Sequence, residues 1–71
     1  MDMIPVASSN IASVGYVGDT FGTLYVAFHS GRMYSYANVP RSVYEEFMSA
    51  PSHGKYFHAF IKDRYAYQRI T

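Results

Sequence analysis

Tyr34 and Tyr36 flank one serine in the stretch "RMYSYANVP", residues 32–40. On an extended backbone, residues two apart leave the same side of a strand, so both rings share a face. Rings placed this way can stack on planar groups, and a base on an aromatic ring gains about 1–3 kcal/mol whatever its identity. Arg32, immediately before them, could supply donors to a phosphate. Lys55, Lys62, Arg64 and Arg69 gather further cations in the last third of the chain. The competing use for the tyrosines is packing beneath a helix or the C-terminal tail, with hydroxyls at the rim. Cross-strand aromatic pairs also stabilise small sheets with no ligand at all.

Other reactive side chains fall into no working arrangement. His53 and His58 are five apart, about 500° around a helix, so they do not share a face as an i,i+4 ligand pair would. His29 would have to converge on them from the strands, and no metal site is expected. Glu45 and Glu46 read as helix-capping and dipole partners, and Asp19 as a turn residue. "GYVG" (15–18) has the G-x-x-G spacing of a loop that clamps a nucleic-acid backbone, but it lies in strand-like sequence. Neither a G-x-S-x-G elbow nor a phosphate-binding Gly-Lys-Ser/Thr is present. No catalytic residue and no cofactor are expected. "GKYF" (54–57) allows two readings. Gly54 and Lys55 could meet an anion at the start of a helix, or Gly54 lets that helix approach the sheet with Tyr56 and Phe57 as core anchors.

The elements that hold these residues follow from periodicity. "NIASVGYVG" (10–18) reads as a strand bounded by turn residues. "TLYVAFH" (23–29) alternates cleanly, and "RMYSYAN" (32–38) resumes extended character after "SG" at 30–31, a two-residue hairpin signal. That turn pairs Phe28 with Met33, Ala27 with Tyr34, and Tyr25 with Tyr36. One face then carries Leu24, Val26, Phe28, Met33, Ser35 and Ala37 as core. The other carries Tyr25, Ala27, His29, Arg32, Tyr34 and Tyr36 as an aromatic and cationic surface.

"VPRSVYEEFMSA" starts a helix near Pro40, with Ser42 and Glu45 matching an S-x-x-E capping box and both glutamates in the first turn. Pro51 stops it, and "PSHGKYFHAFIKDR" begins a second helix with Tyr56/Phe60 and Phe57/Ile61 as its stripe. "YAYQRI" (65–70) forms a short extended tail packed back on the domain. The expected architecture is α+β: a small three-stranded antiparallel sheet followed by two short helices, β-β-β-α-α.

Seventy-one residues make one domain, spanning 1–71 with its core at about 8–67. A chain this short leaves a stability margin of roughly 3–5 kcal/mol. It has no cysteine, so no disulfide adds to that margin. Six Lys/Arg against five Asp/Glu give a net charge of +1, too balanced for strong binding to polyanions. No apolar run reaches the ~20 residues of a membrane span, and the N-terminus lacks the pattern of a signal peptide. A cytoplasmic protein with no membrane partner is expected.

Tyr34-Ser35-Tyr36, then Val39-Pro40, then "SHGKYF" (52–57) with Ile61 and Tyr65 beyond, occur in an order that resembles the KTSC domain. This small module is named for its place at the C-terminus of some lysyl-tRNA synthetases and also occurs as a free-standing bacterial protein. The resemblance covers roughly residues 8–67. Where His58 stands, the family more often has asparagine. The resemblance implies a binding module without catalytic residues, for which RNA is a suggested ligand. The residues taken to bind are Tyr25, Arg32, Tyr34, Tyr36, Lys55, Lys62 and Arg64. The expected partner is RNA, held weakly and in a salt-sensitive way, or alternatively a larger protein of the translation or transcription machinery.

Overall fold

The chain is described as a computed structural model covering residues 2–71. Its three long strands are β2 (Ile11–Gly18), β3 (Phe21–Phe28) and β4 (Met33–Pro40). They are flanked by two short ones, β1 (Ile4–Pro5) and β5 (Tyr67–Arg69). Among the described residues the sheet is therefore five-stranded and antiparallel, ordered β1-β2-β3-β4-β5, which corrects the expected three strands. The added strands hold two and three residues, too few to show an alternating pattern. Their partners create them: Ile4 pairs with Val14, and Tyr34, Ser35 and Tyr36 pair with Arg69, Gln68 and Tyr67.

The β3–β4 hairpin also departs from the expected register. Its loop has three residues, His29 to Gly31, closed by Phe28 N–H donating to Arg32 O at 2.8 Å and Gly31 N–H to Phe28 O at 3.0 Å. Gly31 has φ +97°, the left-handed residue that completes a turn-plus-bulge loop. The ladder consequently pairs Ala27 with Met33, Val26 with Tyr34, Tyr25 with Ser35 and Leu24 with Tyr36. A slip of one residue turns every side chain to the opposite face. Tyr34 and Tyr36 thus join Leu24 and Val26 on the core side, while Met33, Ser35 and Ala37 join Tyr25 on the other. The found register buries aromatic rings where the expected one would bury a serine and an alanine, and the larger apolar area favours it.

Two bulges complete the core face. Ladder register shifts between Ile11 and Ser13 on β2, and again where β4 gains a residue opposite Thr23, with Asn38 at φ 56°. Each inserted residue lets positions three apart face the same way. Ile11 with Val14, and Tyr36 with Val39, are all buried as a result. Leu24, Val26, Phe47, Phe57 and Ile61 fill the space between sheet and helices.

α1 (Arg41–Ser49) begins two residues earlier than the capping box requires. Ser42 is already inside the helix, no side chain caps it, and Glu45 and Glu46 fall beyond the first turn. Instead Arg41 N–H donates to Thr20 O at 2.9 Å, so the β2–β3 loop satisfies a helix-terminal donor. Glu45 pairs with Arg41 at 3.5 Å, and Glu46 accepts the Tyr56 hydroxyl at 2.8 Å. α2 (His53–Tyr56) is capped by Ser52, whose Oγ accepts Lys55 N–H at 3.3 Å. It runs directly into one π-helical turn, Phe57–Ile61, closed by Lys62 N–H on Phe57 O at 2.8 Å. Lys62 and Arg64 therefore lie just past the helix rather than within it. Among the described residues, no helix is long and apolar enough to cross a membrane.

Candidate binding groove

The register that buries the Tyr-x-Tyr pair also builds a site around it. Tyr34 and Tyr36 project from β4, Phe28 from the end of β3, Phe57 from the π-helical turn and Tyr67 from β5. Their rings touch in a closed circuit. Phe28 meets Tyr34 at 6.0 Å and Phe57 at 5.4 Å, both edge to face. Tyr67 meets Tyr34 at 5.9 Å and Tyr36 at 6.1 Å. Tyr36 meets Phe57 at 5.7 Å, closing the ring. Edge-on contacts satisfy the aromatic quadrupoles and hold an open groove of about 310 Å³ lined by all five residues. That is the lower end of volumes that take small ligands.

Tyr36 forms part of the core, with only 4% of its surface exposed. Burial pushes its phenol up to about 12, helped by the neighbouring Tyr34, Tyr67 and Asp63. It is therefore a neutral hydroxyl that can donate a hydrogen bond at any ordinary pH. Tyr36 is not a sealed-off polar group, since it lines the groove. Tyr67, by contrast, leaves 59% of its surface open at the mouth, offering a face on which a planar group can stack. The rim carries Arg32, His58, Lys62 and Asp63. The ion pair found among the described residues, Arg41–Glu45, lies elsewhere, so Arg32 and Lys62 present unpaired charge.

Four of the seven expected site residues, Arg32, Tyr34, Tyr36 and Lys62, meet at this groove. Lys55 lines a neighbouring depression. Arg64 is exposed in the turn after Ile61 and lines neither. Tyr25 stands on the opposite side of the sheet, across from Ser35, so the expected Tyr25/Tyr34/Tyr36 surface does not exist. Phe28, Phe57, His58 and Tyr67 were not among the expected site residues. The Tyr65-Ala66-Tyr67 alternation carried a strand signal for Tyr67; the others come together only through tertiary packing.

The other histidines have structural partners. His29 Nε2 lies 2.9 Å from Ser8 O, and His53 Nδ1 lies 2.9 Å from Phe47 O. Each ring nitrogen facing a carbonyl acts as donor. No group of three His, Cys, Asp or Glu side chains gathers as a metal site among the described residues. The arrangement is suited to binding: flat apolar walls, a phenol in the wall and cations at the rim.

Comparison with known proteins places this geometry in a family. The model of the KTSC domain matches residues 7–65. The chain is 46% identical over 52 residues to a lysine–tRNA ligase of Trichormus variabilis, covering 73% of this chain and 9% of that enzyme. It is 35% identical over 71 residues to a protein of Stutzerimonas stutzeri, with 99% of both chains covered. The crystal structure of a KTSC domain protein from Yersinia pestis matches with a TM-score of 0.90 at 37% identity, covering 99% of this chain and 97% of that one. The chain belongs to the KTSC domain family, and it spans about a tenth of the ligases it matches.

Proposed function

We propose that this KTSC domain is a non-catalytic binding module that holds a base of single-stranded RNA in the aromatic groove. The observation that carries this reading is the closed circuit of Phe28, Tyr34, Tyr36, Phe57 and Tyr67 beneath a rim with Arg32 and Lys62. A base gains stacking on the exposed Tyr67 ring, the Tyr36 hydroxyl offers a hydrogen bond, and the rim cations meet the adjoining phosphate. Relatedness to part of lysine–tRNA ligases, whose name says they act on tRNA, supports RNA as the ligand class. Such a ligand places the domain in the cytoplasm.

The test is fluorescence anisotropy of a labelled single-stranded RNA. Two phosphate contacts predict that log affinity falls with log salt with a slope of about 1.4. Tyr67→Ala, and separately Arg32→Ala with Lys62→Ala, should weaken binding, the second also flattening the salt dependence. These side chains are exposed, so folding survives their loss. Wild-type protein that ignores RNA at low salt, or folded variants that bind as well as wild type, overturn the reading.

A second reading, docking on a larger protein, is favoured by the face of the sheet without helices. Ser13, Thr23, Tyr25, Ala27, Met33 and Ser35 lie there with no charge among them. Val17 and Phe21 beside them are 51% and 61% exposed. Capture of a defined partner that is lost with Phe21→Ser but kept with Tyr67→Ala would select this reading.

A further inference from the structure

His58 lines two depressions at once. One is the aromatic groove. The other, of about 530 Å³, is bounded by Ser9, Asn10, Ser52, Gly54, Lys55 and Ala59. Its polar ends are uncommitted: the Lys55 ammonium has no ion-pair partner among the described residues, where the one pair is Arg41–Glu45. Asn10 uses its backbone in the turn, accepting from His29 N–H and donating to Ser8 Oγ, which leaves its side-chain amide facing the depression. A Cβ added at Gly54 would stand 3.9 Å from Ser8 Oγ and 4.0 Å from that amide nitrogen. Any side chain larger than hydrogen would therefore begin to occupy the floor.

We propose that the two depressions are consecutive subsites for one single strand of RNA, joined across His58. The base sits in the aromatic groove, and the next phosphate along the strand lies between His58, Lys55 and the Asn10 amide. This rests on the reading of the groove as a base site and extends it in three respects. It assigns Asn10, Lys55 and His58 as phosphate ligands. It sets the footprint above one nucleotide. It also accounts for an open glycine floor beside a lysine. Arg32 and Lys62 flank the strand on the groove side and Lys55 on the far side, so cations line the path at both subsites. A second aromatic wall is missing around Lys55, which suits a phosphate there rather than a second base.

The experiment compares adenosine 5′-monophosphate with a three-nucleotide oligoadenylate by protein NMR titration. Monophosphate should shift Tyr34, Tyr67 and Lys62 only, whereas the oligonucleotide should also shift Asn10, Gly54 and Lys55 and bind about tenfold tighter. Asn10→Ala with Lys55→Ala should abolish that gain and leave monophosphate affinity unchanged. Lys55→Glu, at an exposed position, should weaken the oligonucleotide further without unfolding the chain. An oligonucleotide that binds no better than monophosphate, or a gain that survives the double variant, overturns the extended track while the base site stands. Failure of both ligands to shift the groove overturns the base site and the track together. An oligoglutamate peptide that shifts Asn10 and Lys55 as strongly as the oligonucleotide does also overturns it.

Discussion

Val26 stands directly opposite Tyr34 in the β3–β4 ladder, and this pairing puts both tyrosines of the Tyr-x-Tyr pair on the helix-covered side of the sheet. The Phe28–Arg32 pair that closes the loop fixes it. Removing Ser30 leaves His29 and Gly31 as a two-residue loop between the same flanking pair, Phe28 and Arg32, so Tyr36 stays opposite Leu24. The expected result is a folded chain with a lower urea midpoint, because His29 must then take a positive φ in a primed turn, at about 1 kcal/mol. Gly31→Ala is the counterpart at full loop length: nothing lies within 4 Å of an added Cβ, but φ is +97°. Strain alone should cost about 1 kcal/mol, read as a lower urea midpoint with an unchanged slope.

Gly22 presents the reverse case. Its φ lies outside the left-handed region, yet an added Cβ would collide with the Val17 carbonyl and the Gly18 backbone across the hairpin. Backbone cannot step aside as a flexible side chain would, so Gly22→Ala should destabilise by roughly 2–3 kcal/mol. Gly54→Ala, whose Cβ meets only ordinary contacts, should leave stability within about 0.5 kcal/mol or raise it. Thermal melts of the two variants side by side check the contrast.

Much of this fold could be read from alternation and punctuation, because three long strands and two helices carry strong local signals. The failures have a common physical form. A Ser-Gly pair at a hairpin tip fits a two-residue turn or the end of a three-residue one, and only the energy of burying Tyr34 and Tyr36 selects between them. β1 and β5 exist because β2 and β4 had open edges. The Ser42–Glu45 pattern gave way to Thr20 O, a partner twenty-one residues upstream of Arg41. Arg32, Tyr34, Tyr36 and Lys62 could be picked out by residue type. Phe57 and Tyr67 could not be joined to them until helix and tail were seen to close the ring.

Alkaline pH should destabilise the protein through two phenols. Burial pushes Tyr36 up to about 12, and burial with the Glu46 hydrogen bond pushes Tyr56 up to about 12. An unfolded tyrosine ionises near 10. Between these values the native state holds protons that the unfolded state has released. Stability is therefore complete below about pH 10 and declines as pH rises toward 12. Urea unfolding across that range should show the fall, and Tyr36→Phe or Tyr56→Phe should each make it shallower. A profile indifferent to both substitutions would contradict the assignment.

Tyr36→Phe also separates packing from binding at neutral pH. The ring makes the contacts with Phe57 and Tyr67, and phenylalanine keeps them. Its hydroxyl lines an open groove rather than satisfying a buried partner, so its loss should change stability by no more than about 0.5 kcal/mol. If the groove holds a base, the same change removes a hydrogen bond to the ligand and should weaken RNA binding about three- to tenfold. Tyr36→Ala, which leaves a cavity among Leu24, Phe57 and Tyr67, should instead cost about 3–5 kcal/mol and unfold the chain. Unfolding midpoints and RNA affinities measured on the two variants distinguish the roles. Equal affinity of Tyr36→Phe and wild type would leave Tyr36 as a packing residue alone, with the ligand held by Tyr67 and the rim.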